Sequence, residues 1–251
     1  NIGGHGPSTD GIDIDSSSYI LIEGCDVDCN DDNICLKAGR DADGLRVNRP
    51  TEFVVVRNCI ARKGAGLITC GSETSGGIRN ILGYNLKAYG TSSALRIKSA
   101  LNRGGFVENV FMTNVVADSV RFVLAADLNW NPSYSYSTLP EQFKGKSLPD
   151  HWEIMLTPVE PKEKGYPKFS NIYLSDVKAT GSKQFIAAAG WNDSLRLNNF
   201  QLCNIEAEVE KAGKVELTNN FTLKGIKLKT TDGSEIEFED NNKLDISIEY
   251  Q

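Results

Sequence analysis

Three short polar motifs in this 251-residue chain hold the residue types that acid–base and ionic chemistry need. In order they are Ser8-Thr9-Asp10-Gly11-Ile12-Asp13, Asn30-Asp31-Asp32-Asn33 and Arg96-Ile97-Lys98. Each opens, or lies within, a short apolar run. Carboxylates brought within a few ångströms repel one another. At least one of them is then expected to keep its proton toward neutral pH while the others stay ionised. That division of labour can protonate a leaving group and activate a water. Arg96 and Lys98 lie two residues apart, on one face of a strand, and would hold an anionic group beside the reacting bond. Taken singly, Asp10-Gly11 is a common turn, Asp31-Asp32 a solvated strand entry and Arg96/Lys98 a wet strand face. The chemistry depends on what brings them together.

A repeat does so. Units beginning at Tyr19, Phe53, Asn80, Asn109, Asn171, Asn199 and Asn220 share alternating apolar positions. The sixth residue of each is Gly24, Asn58, Asn85, Asn114, Asp176, Asn204 or Gly225, types that tolerate a left-handed backbone. The seventh is Cys25, Cys59 or an aliphatic, so these cysteines read as core. A second strand series follows at Asn33–Ala38, Gly66–Gly71, Ala94–Ser99, Arg121–Ala126 and Gln184–Ala189. Short strands, a period of 21 to 34 residues and no convincing amphipathic helix predict an all-β fold, a right-handed parallel β-helix. A β-sandwich would not require the constant offset between the two series. One domain is expected over 1–251, with a proline-rich loop excursion at about 129–170 and a tail from Thr230 capping the last coil.

Equivalent positions in adjacent coils of such a solenoid stand about 4.8 Å apart. Asp31 and Asp32 precede one second-series strand, Gly64 and Ala65 the next, and Arg96 and Lys98 lie on the one after. The strand Gly11–Asp15 would form the coil before, bringing Asp13 beside Asp31 and Asp32. The motifs then line one groove about 15 Å long.

In these motifs the chain resembles glycoside hydrolase family 28, the polygalacturonase-like pectinases. The family pattern is Asn-Thr-Asp-Gly-x-Asp, Asp-Asp, Gly-His-Gly and Arg-Ile-Lys. Here it reads Ser8 to Asp13, Asp31-Asp32, Gly64-Ala65-Gly66 and Arg96 to Lys98. The resemblance implies an inverting hydrolase that cleaves α-glycosidic bonds in galacturonate-containing pectic polysaccharide. It implies Asp31 as general acid, Asp13 and Asp32 as the residues that position and deprotonate water, and Arg96 and Lys98 as ligands of the substrate carboxylate. Ala65 stands where the family has histidine, which suggests a shift toward rhamnogalacturonan or substituted pectin. The family also places coils ahead of the first acidic motif, so N-terminal coils are expected to be missing here. A secreted, periplasmic or cell-surface location is implied with them.

Composition narrows the alternatives. Net charge is −6 with scattered Lys and Arg, which argues against a nucleic-acid partner. No apolar run approaches the roughly 20 residues of a membrane span. The six cysteines lack paired metal-type spacing, and Asp15, Asp26 and Asp28 do not form a closed oxygen-ligand set, so neither metal nor cofactor is expected. Two other readings remain open: a non-catalytic carbohydrate-binding β-helix, and a calcium-dependent pectate or rhamnogalacturonan lyase.

Overall fold

The strands of the chain stack in parallel, each on its counterpart one turn earlier, as a right-handed β-helix. The computed structural model describes residues 2–251. Three faces run along the stack. The first begins with Ile2–Gly4, Asp26–Cys29 and Ile60–Arg62. The second carries Ile12–Asp15, Ile34–Lys37, Gly66–Cys70, Ser93–Lys98 and Phe122–Asp127 in successive coils. The third begins with Ser18–Glu23 and Thr51–Arg57. From Ile78–Tyr89 onward, a single long strand covers the third face and bends into the first.

The bend occurs where the sequence places it. Gly24, Asn58, Asn85, Asn114, Asp176, Asn204 and Gly225 all have φ between 53° and 65°. Their side chains form a ladder: Asn85 donates to Asn58 at 3.1 Å, Asn114 to Asn85 at 2.7 Å. A second left-handed column heads the units at Tyr19, Phe53, Asn80, Asn109, Asn171, Asn199 and Asn220, with φ from 52° to 60°. Its amides are linked from Asn80 through Asn199, while Tyr19 and Phe53 stack their rings 5.1 Å apart. The inward residues between the ladders, such as Val54, Ile81, Val110, Ile172, Phe200 and Phe221, form the continuous core.

Three details depart from expectation. A short helix, Asp41–Val47, bridges the second and third faces of one coil. The excursion is not bare loop: it carries helices at Pro132–Ser135 and Asp150–Leu156 before the strand Lys168–Ala189 restores the stack. The tail does not cap the helix. Glu237–Glu239 and Asn242–Tyr250 pair in parallel with the coil before and extend it, because their Phe238, Leu244, Ile246 and Ile248 keep the inward register. All six cysteines are free thiols, with Cys29, Cys35, Cys59 and Cys70 buried. No helix among the described residues is long and apolar enough to cross a membrane.

Candidate active site

The second face assembles the polar motifs at its corners and strands. The corner of the first coil sits directly on that of the next: Gly11 N donates to the Asp32 carbonyl at 2.9 Å, and Asp31 N to the Thr9 carbonyl at 3.0 Å. Ala65 N then donates to the Asp31 carbonyl at 2.7 Å, so Ala65 lies one rung beyond Asp31. Gly66 is forced by crowding. A Cβ there would lie 2.1 Å from Thr69 Oγ1.

Asp32 is the buried anchor of the site, 2% exposed. Its Oδ1 accepts from Thr69 Oγ1 at 2.7 Å and from Gly66 N at 3.0 Å; its Oδ2 accepts from Lys98 Nζ at 2.8 Å and from the Cys35 thiol at 3.7 Å. Arg96 Nη1 stands 3.5 Å from Oδ1. Burial alone would raise this carboxyl, but the Lys98 charge and these hydrogen bonds outweigh it and hold it below the usual carboxylate range. Burial pushes the Cys35 thiol well above its ordinary value, so it serves as a neutral donor.

Asp31 has the opposite environment. It is half-buried, and burial together with the neighbouring Asp32 charge raises its carboxyl above the ordinary range, against the pull of Lys98 and Arg96. The third carboxylate of the cluster is Asp10. One oxygen each from Asp10, Asp31 and Asp32 lie within 4.8 Å of one another.

The register thus corrects the placement of Asp13. It pairs with Cys35, not with the Asp31-Asp32 corner, because Ile12 and Ile34 are level and Asp10 is the residue opposite Asp32. Asp13 lines the same cavity but its side chain is 47% exposed, against 16% for Asp10. Lys37, unremarked in the sequence, joins the two: its Nζ donates to Asp10 at 2.9 Å and lies 3.0 Å from Asp13. Burial opposes the Lys37 charge, yet these bonds more than offset it and its affinity for the proton rises.

The cavity over the cluster has a volume of about 370 Å³. Ser8, Ser72, Glu73 and, from the excursion, Trp130, Asn131 and Tyr134 complete its wall. Glu73 is backed by the fully buried Arg103, 4.0 Å away, which also pairs with Asp41. Trp130 covers both cations: its ring centroid is 4.4 Å from Lys98 Nζ and 5.2 Å from the Arg96 guanidinium carbon. The structure therefore brings Asp31, Asp32, Arg96 and Lys98 together, adds Asp10, and sets Asp13 one step aside. The signal for Asp10 lay in the strand offset: Asp10 leads its strand by two residues, as Asp32 leads Ile34.

The family model of glycosyl hydrolases family 28 matches residues 1–138, more than half of the chain. The chain belongs to glycoside hydrolase family 28. Among curated relatives, this family 28 chain is 34% identical over 118 residues to a probable polygalacturonase of Vitis vinifera, covering 46% of the chain and 24% of that protein. It is 32% identical over 158 residues to an endo-polygalacturonase of Pectobacterium parmentieri, covering 63% and 35% respectively. Among solved structures, an exopolygalacturonase of Thermotoga maritima superposes with a TM-score of 0.66 at 26% identity, over 94% of this chain and 45% of the other. A family 28 exopolygalacturonase of Yersinia enterocolitica shares the fold, with a TM-score of 0.67 at 18% identity over 94% of this chain and 38% of that one. The family 28 chain thus spans a quarter to a third of the length of these two curated relatives.

Proposed function

We propose that the chain hydrolyses α-glycosidic bonds in galacturonate-containing pectic polysaccharide or oligosaccharide, with inversion at the anomeric carbon. The observation that carries this reading is the Asp10–Asp31–Asp32 cluster abutting Arg96 and Lys98 on one solenoid face. Asp31, whose carboxyl is raised above the ordinary range by burial and the Asp32 charge, donates its proton to the glycosidic oxygen as the C–O bond breaks. Water attacks the anomeric carbon and gives up a proton to the pair Asp10 and Asp32. Asp32 is committed to Thr69, Gly66, Lys98 and Arg96, and Asp10 to Lys37. Inversion is the outcome the family resemblance implies; oxygens of the three carboxyls lie within 4.8 Å of one another, closer than the roughly 6.5–9.5 Å of most inverting pairs, so the anomer first formed decides the stereochemistry. Asp13 steadies Lys37 and through it Asp10. Arg96 and Lys98 bind the substrate carboxylate beneath Trp130. The names of the relatives, polygalacturonases of plant and bacterial origin, point to the same substrate class. Action on such a polymer suits a secreted or cell-surface location.

The test is incubation with polygalacturonate and rhamnogalacturonan oligomers, reading reducing ends, ultraviolet absorbance and the anomer first formed by NMR. Saturated products of inverted configuration are expected. Unsaturated, ultraviolet-absorbing products would assign the chain to the lyases instead. Asp31→Asn is expected to lower turnover by about 10²–10⁴-fold with binding retained; full activity in that variant removes Asp31 from the role of acid. Ala65, beside Asp31 where the family pattern has histidine, favours a second reading, binding without turnover. Saturable binding with no new reducing ends would establish it.

A further inference from the structure

The seventh position of the repeat unit forms one column along the core: Cys25, Cys59, Leu86, Val115, Val177, Ile205 and Ile226. An aliphatic side chain fills the slot in every later coil, so packing there does not call for sulfur. Two thiols in neighbouring rungs can do what two aliphatics cannot, which is to join covalently.

The backbone sets the two cysteines side by side. Ile60 N donates to the Cys25 carbonyl at 2.8 Å, and Asp26 is level with Ile60. Cys25 and Cys59 are therefore level too, with Cα atoms one rung apart, about 4.8 Å, inside the range of roughly 4.4–6.8 Å that a disulfide spans. Each follows a left-handed residue, Gly24 at φ 65° and Asn58 at φ 54°, so both leave the bend in the same direction. Each thiol lies against the carbonyl two residues before it, Glu23 at 3.6 Å and Arg57 at 3.2 Å, so the side chains share one orientation. Burial raises the Cys59 thiol, and Cys25 acts on it through both its backbone N–H and its own thiol. No other cysteine among the described residues is level with a second one. Cys29 is opposite Gly4, Cys35 opposite Thr69, Cys70 opposite Leu36 and Ile97, and Cys203 opposite Ser175 and Lys224. Exposure divides the pair: Cys25 is half-buried and open to a small reagent, whereas Cys59 is 1% exposed.

We propose that Cys25 and Cys59 are an oxidation site, closed to a disulfide by a low-molecular-weight disulfide, that staples the coil carrying Asp31 and Asp32 to the next. The Cys25 thiolate attacks one sulfur of the oxidant and releases its first thiol, leaving a mixed disulfide on Cys25. Cys59 gives its proton to solvent, and its thiolate attacks Cys25 Sγ and releases the second thiol. Rotation of one side chain about χ1 brings the sulfurs together. Two S–H bonds are lost and one S–S bond forms. The oxidant takes up both electrons and both protons as its own S–S bond becomes two thiols. The ring so closed holds residues 26–58, and with them Asp31, Asp32 and Lys37. Nothing in this step depends on the hydrolase reading.

The test is treatment of the full chain, purified under reduction, with oxidised glutathione in mildly alkaline solution. Mass spectrometry should show the loss of two hydrogens, and a thiol count in denaturant should fall by two from the six of the reduced chain. A protease map should show Cys25 joined to Cys59. The oxidised form should melt about 5–10 °C above the reduced one, and a reductant should abolish the difference. Cys59→Ser should stop at a glutathione adduct on Cys25, whereas Cys25→Ser should keep its buried Cys59 unmodified. Six free thiols after oxidation, a cross-link between other cysteines, a persistent adduct on Cys25 in the unsubstituted chain, or equal melting of the two forms overturns the proposal.

Discussion

Two adjacent aspartates on one corner are driven in opposite directions by what surrounds them. Asp31 is raised by burial and by the charge of Asp32, while Asp32 is lowered by Lys98 and its hydrogen bonds despite burial. Activity is therefore expected to fall on the alkaline side as Asp31 loses its proton, and on the acid side as Asp32 gains one. Ala65→His would place an imidazole one rung from Asp31. Its protonated form favours the ionised carboxylate, so the alkaline limb of kcat/KM should move to lower pH. A limb that stays put or moves upward in that variant would separate Asp31 from the alkaline ionisation. The same pair makes a stability prediction. Asp32 has a depressed native pKa, so its contribution is present above its unfolded value, near 3.9, and is lost as pH falls through the native one. Lys98→Ala leaves Asp32 buried without its nearest cation, and should destabilise by about 3–5 kcal/mol at pH 7 in urea unfolding. That penalty should shrink as the pH is lowered toward protonation of Asp32. A loss below about 1 kcal/mol at pH 7 would mean that Arg96, Thr69 and Gly66 suffice to hold the charge.

The elements that carry these residues are ordered by their corners. A left-handed backbone costs an ordinary residue about 1–2 kcal/mol, and the chain meets that cost with asparagine. Asn114, at φ 53°, also donates to Asn85 at 2.7 Å. Asn114→Ala is expected to lose about 2 kcal/mol, and Asn114→Gly, which keeps the backbone freedom and loses only the ladder, about 1 kcal/mol. Thermal unfolding of the two variants checks the order; a glycine variant as unstable as the alanine one would give the side-chain ladder the whole effect. At this scale most of the fold was legible. Asn58, Asn85, Asn114 and Asn204 announced the bend because the residue type matches the backbone it must adopt. The leading column was half hidden: Tyr19 and Phe53 adopt the same left-handed turn as Asn80, with no residue type to signal it, because neighbouring rings support one another there. In the site, Asp31, Asp32, Arg96 and Lys98 were legible from motif and coil register. Asp10 was not, because its Asp-Gly context reads as a turn and only the two-residue lead over the strand separates it from Asp13. Lys37 was not identified as a site residue either, and Trp130 was legible as a groove-rim residue only from its place directly after a second-series strand. One is an ordinary polar strand residue in sequence, and the other reaches the groove from an irregular segment.

Across the whole molecule the solenoid behaves as a rack whose slots are addressed by register. The connection from Ser93–Lys98 to the next strand, Phe106–Asp118, uses seven residues, 99–105. One coil later the connection from Phe122–Asp127 to Lys168–Ala189 uses forty, 128–167. Despite that difference, Phe106 is level with Lys168 and Phe122 with Gln184, so the longer path returns to the same slot. The excursion delivers Trp130, Asn131 and Tyr134 to the cavity, while Asp10, Asp31, Asp32, Arg96 and Lys98 all belong to the stack. Lineages built on this plan can thus exchange the roof of the groove by inserting or trimming chain at one corner, leaving the reacting groups at fixed addresses below. Substrate range and bond-breaking chemistry become separately heritable traits of a single polypeptide.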